Sequence, residues 1–401
     1  MSFSPSLKKL RFDRGLTGFA ELLHLLSKAK AEAFPLNRKV VAKWTFAPSE
    51  PIMAAGALPY DPHMREALQH VVFDEGSTAA GLAIQAGLSQ DFCPWNRTLV
   101  GSTYGDKNVI PIDLFSITCG CWCESMSKSW YLASQTAGKP FHYFDIPPFL
   151  EDMEEWAVDF LMSELMLFSN WLGENCGRRV SEDRLAEEIR TANAVRRAAA
   201  DLTMLLRDDK VPIPALEYYL LLSAMGDFVQ DPLALRNVYE RVAAESKERI
   251  RKETRQTLDD SPFRILYSGI ETQELSVFNM VEDCGGALVG CDTYSPMFET
   301  LVPENGSPFE NLAKWIWRSS CNLPTSLRIE RTISQAKRQR ADGIIINNVT
   351  GCRYFSQTSK LAKDILKSEL GLPVLTIETG LPLENLETTE FRIRAFIETN
   401  K

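Results

Sequence analysis

Apolar positions along the chain fall into two blocks of alternating strand and helix patterns, with a long helical stretch between them. Residues 7 to 33 are basic and amphipathic. Leu16, Phe19, Leu22, Leu23 and Leu26 stand near helical spacing and predict a packing helix. Lys39 to Phe46 is a β-branched and aromatic run closed by Ala47-Pro48-Ser49-Glu50-Pro51, where proline ends the strand and Ser49 can cap the next helix. Ile52 to Pro59 reads as a short helix of small residues stopped by proline, and residues 61 to 90 as helical with a Gly/Ser break. Ile110 to Ile117 predicts a strand, and Phe141 to Ile146 another, stopped by Pro147-Pro148.

From Leu150 to about Asp260 long helices dominate, Trp156 to Leu172 and Ser181 to Leu206 among them, with Ser181, Glu182 and Asp183 suited to a helix N-terminus. Glu245 to Arg255 reads as a solvated helix face. The second block holds strands at Phe263–Gly269, Gly286–Asp292, Gly343–Asn348 and Leu372–Thr379, with helices at Leu275–Asp283, Pro308–Trp317 and Phe391–Glu398. The expected fold is therefore α/β: two Rossmann-like parallel-sheet lobes, 1–150 and 261–401, joined by a helical segment, 151–260. No internal repeat shows beyond that architectural similarity.

Composition narrows the function. At 401 residues, with 45% hydrophobic and 24% charged positions, the chain is long enough for two or three domains with a sizeable core. A formal net charge of −9 argues against a nucleic-acid partner held by phosphate neutralisation. Met1 to Ala20 has no uninterrupted apolar segment of the secretory kind, and no run suits a membrane span. Nine cysteines in such a chain point to the reducing cytoplasm, where thiols serve metals or catalysis. The four histidines, His24, His63, His70 and His142, show no ligand spacing, so a histidine-built zinc site has no support, and His63 reads as a surface residue.

The chemistry concentrates at Thr118-Cys119-Gly120-Cys121-Trp122-Cys123-Glu124, three thiols at the carboxyl end of a predicted strand, where ligands of open α/β sheets collect. Soft thiolates clustered this way suit zinc, copper(I) or an iron–sulfur cluster. C-x-C-x-C spacing, in place of paired CxxC, weakens the structural-zinc alternative. Cys93 precedes Pro94 where a helix start would favour its thiolate. Cys352 follows the buried strand ending at Asn348, and Cys321 follows the Trp-rich helix. Cys176, Cys284 and Cys291 read as packing residues. Neither GxGxxG nor a P-loop is present, which removes nucleotide sites of those types.

Together these stretches resemble the 2-hydroxyacyl-CoA dehydratase and benzoyl-CoA reductase family. Pro48 to Pro59 is similar to its "P-x-E…AAGA-x-P" opening, Cys93-Pro94-Trp95-Asn96-Arg97 to its "C-P-x-x-K/R" element, and Cys121 to Glu124 to its "T-x-C-D" element. Gly351-Cys352, Leu372 to Thr379 and Arg392 to Glu398 resemble its C-terminal pattern. The elements come in the family's order over nearly the whole chain. Two positions depart: Tyr60-Asp61-Pro62-His63 stands where many dehydratase subunits carry a cysteine, and Glu124 stands for an aspartate, with Cys121 and Cys123 both eligible as the preceding cysteine.

The resemblance implies an iron–sulfur subunit, with a [4Fe-4S] or double-cubane cluster, that pairs with a homologous subunit or with itself. It also implies an ATP-hydrolysing iron–sulfur activator that injects one electron, and an acyl-CoA substrate that loses water by way of a ketyl radical. An ATP-dependent acyl-CoA reductase subunit and a non-catalytic partner subunit are the alternatives. The implied ligands are Cys93, Cys121, Cys123 and Cys352, with Cys321 and Cys119 behind them. Ser49 is the candidate hydroxyl at the thioester, since it can donate to developing oxyanion charge, unless it only caps a helix. Glu50 is either an acid–base group or structural.

Overall fold

The computed structural model describes residues 10–13, 15–32, 38–65, 75–104, 111–120, 123–150, 153–252, 261–270, 272, 274–318, 322–380 and 386–401. Two four-stranded sheets organise them. The first contains β1 (Val40–Ala42), β2 (Leu58–Tyr60), β3 (Leu114–Gly120) and β4 (Phe141–Ile146), all parallel, in the order β2-β1-β3-β4. The second contains β5 (Phe263–Gly269), β6 (Gly286–Cys291), β7 (Gly343–Val349) and β8 (Val374–Thr379), again parallel, in the order β6-β5-β7-β8. The α/β expectation holds. Each sheet repeats one topology, second strand outermost and third beside first, so each has a switch point between its first and third strands, where the crossover connections diverge.

Local chemistry explains where elements differ from the sequence pattern. The run Lys39 to Phe46 yields only three strand residues, because its last ladder bond is Lys43 N–H to the Tyr60 carbonyl at 2.8 Å. The chain then turns, with Ala47 N–H donating to the Trp44 carbonyl at 2.9 Å. The helix expected over Ile52 to Pro59 stops at Ala54, and Gly56, at φ +78°, swings the chain into β2. Pro59 is tolerated there because β2 is an edge strand. The helices of the middle segment run Glu154–Cys176, Glu182–Leu205 and Pro232–Arg251, with Ser181 Oγ accepting from Arg184 N–H at 3.4 Å as an N-cap should.

Burial joins these parts. Ile265, Leu266, Ile344 and Ile345 of the second sheet, Phe115 and Ile117 of the first, and Tyr218 to Leu222 belong to one buried apolar cluster. Helix Ala215–Ser223 supplies the last of these and is buried at every position, so it works as a central post with no solvent face. A second cluster lies under β4, where helices Glu154–Cys176 and Pro308–Trp317 meet; Phe149 stacks on Trp317 there at 4.8 Å. Among the described residues no helix is long and apolar enough to cross a membrane.

Candidate functional site

Both switch points open onto one cleft of about 500 Å³. From the first lobe come Trp44 and Thr45 after β1, Cys93 ahead of helix Pro94–Tyr104, and Cys123 after β3. From the second come Ile270 after β5, and Cys352, Tyr354 and Phe355 after β7. His63, Met64, Trp95, Asn96 and Met126 complete the wall. Three candidate thiols separated by up to 259 positions in sequence (352 − 93) therefore share one wall. Cys93, Cys123, Cys176, Cys284, Cys291 and Cys352 form no disulfide.

Helix starts set two of these thiols. Cys123 is the N-cap residue of helix Glu124–Ala137, and Cys93 immediately precedes Pro94 at the first position of its helix. Exposed N–H groups and the positive end of each helix axis favour anionic sulfur there. Arg97, one turn beyond Cys93 and buried, adds a cation whose field couples to that thiol. Burial opposes all of this. It pushes the Cys93 thiol well above the ordinary range and Cys123 up to about 11, and Cys352 raises both further. As bare thiols these groups are held protonated, so anything that binds them as thiolates must supply positive charge and release protons.

Gly351 makes the meeting possible. Its φ is +85°, and a Cβ there would lie 2.8 Å from the Asp91 carbonyl oxygen and 3.1 Å from backbone atoms of Phe92. The loop after β7 thus touches the backbone just before Cys93, which brings Cys352 into the same cleft. Only glycine suits both the dihedral and the approach.

Among the described residues no group of three or more His, Cys, Asp or Glu is arranged to hold a metal ion. Cys93, Cys123 and Cys352 nonetheless line one cleft with aromatic and thioether side chains, and soft sulfur is the donor type that iron–sulfur clusters take. Cys121 and Cys321 lie outside the described residues, and Cys119 enters only through its place in β3.

The other candidates stand behind the wall. Ser49 occupies an N-cap position but its hydroxyl does not cap; it accepts from Lys43 Nζ at 3.2 Å. Glu50 is fully buried in an ion pair with Arg196 at 2.6 Å. Neither is among the residues lining the cleft. His63, read from sequence as a surface residue, is instead buried in the wall. Its Nε2 meets Trp130 Nε1–H at 3.3 Å and the Asn96 side chain at 3.1 Å, and burial lowers its pKa to about 4. The indole N–H can only donate to Nε2, whereas Asn96 presents its carbonyl oxygen Oδ1, which can only accept, so the two neighbours ask opposite roles of that nitrogen. Thr45 and His63 are thus wall residues that sequence reasoning missed. Their signal was their place just after β1 and β2, in a lobe whose ligands collect at strand ends.

A second cavity, of about 710 Å³, lies at the carboxyl ends of β5, β6 and β7, with Ser268, Asp292, Thr293 and Asn347 in its wall. Phe355 borders both cavities. The Arg328 guanidinium lies 4.6 Å above the Tyr354 ring and 4.7 Å above that of Phe355, which fixes the partition between them.

Fold and site define a class: a two-lobed α/β protein that collects cysteines from both lobes at facing switch points. The chain belongs to the 2-hydroxyglutaryl-CoA dehydratase D-component family, which it matches over residues 44–400. It is also 26% identical over 394 residues, 95% of this chain and 94% of the other, to the Escherichia coli (strain K12) protein described as "Putative dehydratase subunit YjiM".

Proposed function

We propose that the protein is the iron–sulfur subunit of a 2-hydroxyacyl-CoA dehydratase, with Cys93, Cys123 and Cys352 as cluster ligands and Cys121 or Cys321 as further thiols. The observation that carries this reading is the convergence of the three cysteines on one cleft between the lobes, within a family named for that reaction. Such a cluster, when bound, supplies a low-potential electron. The chain's residues do the rest. Helix starts at Cys93 and Cys123, with Arg97, offset the negative charge of thiolates. Trp44, Trp95, Met64, Met126 and Phe355 keep the cleft dry, which strengthens polar contacts inside it. The cavity beyond Phe355, next to the thiol cleft and partly open, is where the arm of a thioester would approach. Partnership with a homologous subunit and an ATP-hydrolysing activator, and a cytoplasmic home, belong to the same proposal.

The test is iron and acid-labile sulfide content of protein purified without oxygen, for the wild type and for Cys93→Ser, Cys123→Ser and Cys352→Ser. About four irons per chain are expected, with loss of iron in each variant. No iron after anaerobic reconstitution would overturn the reading and leave a cluster-free partner subunit. Release of water from a 2-hydroxyacyl-CoA, as opposed to a two-electron reduction, then separates dehydratase from reductase.

A further inference from the structure

Behind Thr45 six charged side chains are buried together: Lys43, Arg65 and Arg196 against Glu50, Asp61 and Asp227. Four of them are consumed in pairs. Arg65 Nε and Nη2 donate to the two oxygens of Asp227 at 2.9 Å each, and Arg196 Nη2 donates to Glu50 at 2.6 Å. Lys43 and Asp61 make no such pair. The Lys43 ammonium donates to neutral oxygens only: the Thr45 carbonyl and Ser49 Oγ, both at 3.2 Å, and the Gly226 carbonyl. Asp61 Oδ1 accepts from Met64 N–H at 3.3 Å, and Oδ2 is buried with no donor at hydrogen-bond distance. The Thr45 hydroxyl stands beside that carboxyl and Thr45 itself lines the thiol cleft.

Gly226 holds this geometry closed. A Cβ there would fall 2.5 Å from Asp61 Oδ2 and 3.4 Å from Thr45 Cγ2, so the chain at Gly226 packs directly on both. The following residues, Phe228, Val229 and Gln230, all have positive φ, at 52°, 48° and 58°. Such backbone strain persists only where surroundings over-determine it. Here Asp227 does so, accepting from Val229 N–H at 3.0 Å and Gln230 Nε2 at 2.8 Å besides Arg65. A cap alone for the turn after Asp61 would need none of this enclosure.

We propose that Asp61, with the buried Lys43 charge near it, is a proton carrier that serves the thiol cleft through the Thr45 hydroxyl. The proposal depends on the dehydratase reading for its substrate. In net terms the proton lost from the neighbouring carbon, whose C–H pair becomes the new double bond, passes through the Thr45 hydroxyl to the ionised Asp61. The substrate's C–O bond breaks with its electron pair on oxygen. Asp61 returns the proton through Thr45 to the departing hydroxide, which becomes water. Atoms and electrons balance without another reactant. Asp61 acts through Thr45 and is a positioning residue, and Lys43 acts on Asp61 by its charge.

The energetics suit exchange. Burial lowers Lys43 to about 8 and raises Asp61 to about 6, while each group's charge draws the other back toward its ionised form. Asp227 pushes Asp61 further up; Asp227 and Glu50 pull Lys43 up, and Arg196 pushes it down. Between about 6 and 8 the pair keeps a single proton, and the two values belong to the pair as a whole.

The experiment compares wild type with Asp61→Asn, which keeps the size of the side chain and its cap on Met64. Infrared difference spectra across pH should show a protonated-carboxyl band with midpoint about 6 in the wild type and none in the variant. The dehydration rate should follow a bell with limbs near 6 and 8, and the variant should lose the acid limb with roughly a hundredfold lower rate. A folded Asp61→Asn protein that keeps the band, or keeps the rate and both limbs, overturns the proposal. If Asp61→Asn does not fold, Thr45→Val decides: the band should stay and the rate fall, with Thr45→Ser restoring it, and an unchanged rate overturns the proposal. A wild type without dehydratase activity refutes the dehydratase reading alone, and the band still decides the pair.

Discussion

Substituting Gly351 by alanine should separate the two lobes' thiols while leaving both lobes folded. Two costs add. A residue with a Cβ held at φ +85° is about 1–2 kcal/mol worse than glycine. The new methyl also meets the Asp91 carbonyl oxygen at 2.8 Å and Phe92 backbone at 3.1 Å. Both are backbone atoms that no side-chain rotation can move aside, so overpacking adds about 1–3 kcal/mol or the loop retreats. Gly371 is the control. It has φ +67° at a helix end and nothing within 4 Å of its would-be Cβ, so Gly371→Ala carries the conformational cost alone. Urea midpoints should place Gly351→Ala about 1–3 kcal/mol below Gly371→Ala. In protein free of bound metal, Cys93 and Cys352 should also react faster with a thiol reagent in the first variant only. Equal stability of the two variants with unchanged thiol reactivity would refute the claim that this backbone contact holds the cleft together.

The Arg65–Asp227 pair gives a second prediction. Asp227→Asn leaves a buried guanidinium without its anion and should cost about 3–5 kcal/mol. Adding Arg65→Met should recover part of that in the urea midpoint, and simple additivity of the two losses would sink the pairing argument. Glu282 gives a third, through pH. Burial, then the nearby Glu217, raises its carboxyl to about 8 from the usual 4.5, although Ala215 N–H donates to it at 2.9 Å. A raised folded value means the contribution is whole below 4.5 and lost as pH climbs through 8. Glu282→Gln should therefore melt higher than wild type at about pH 9, and the gap should narrow as pH falls through that window; parallel melting curves would contradict it.

Strand positions in the second block were legible from sequence almost to the residue, as at Phe263–Gly269, because buried parallel strands are written as unbroken apolar runs. The same holds for helix Pro308–Trp317, where apolar spacing and a Ser307 cap coincide. Local pattern also singled out Cys93, Cys123 and Cys352, since a thiol at a strand end or helix start is a property of a few neighbouring residues. Sequence could not say that these three face one cleft. That depends on which sheet edges meet, and on one contact between Gly351 and the Asp91 backbone whose partners are 260 positions apart (351 − 91). His63 and Lys43 were misjudged or passed over for a related reason. The charge or polarity of a side chain predicts exposure only until tertiary packing supplies partners. Here Trp130 satisfies an imidazole and the carbonyls of Thr45 and Gly226 satisfy an ammonium. The chain's own periodicity determined its elements and their class. Burial of those elements against one another decided which polar groups lost water, and with it where the chemistry lies.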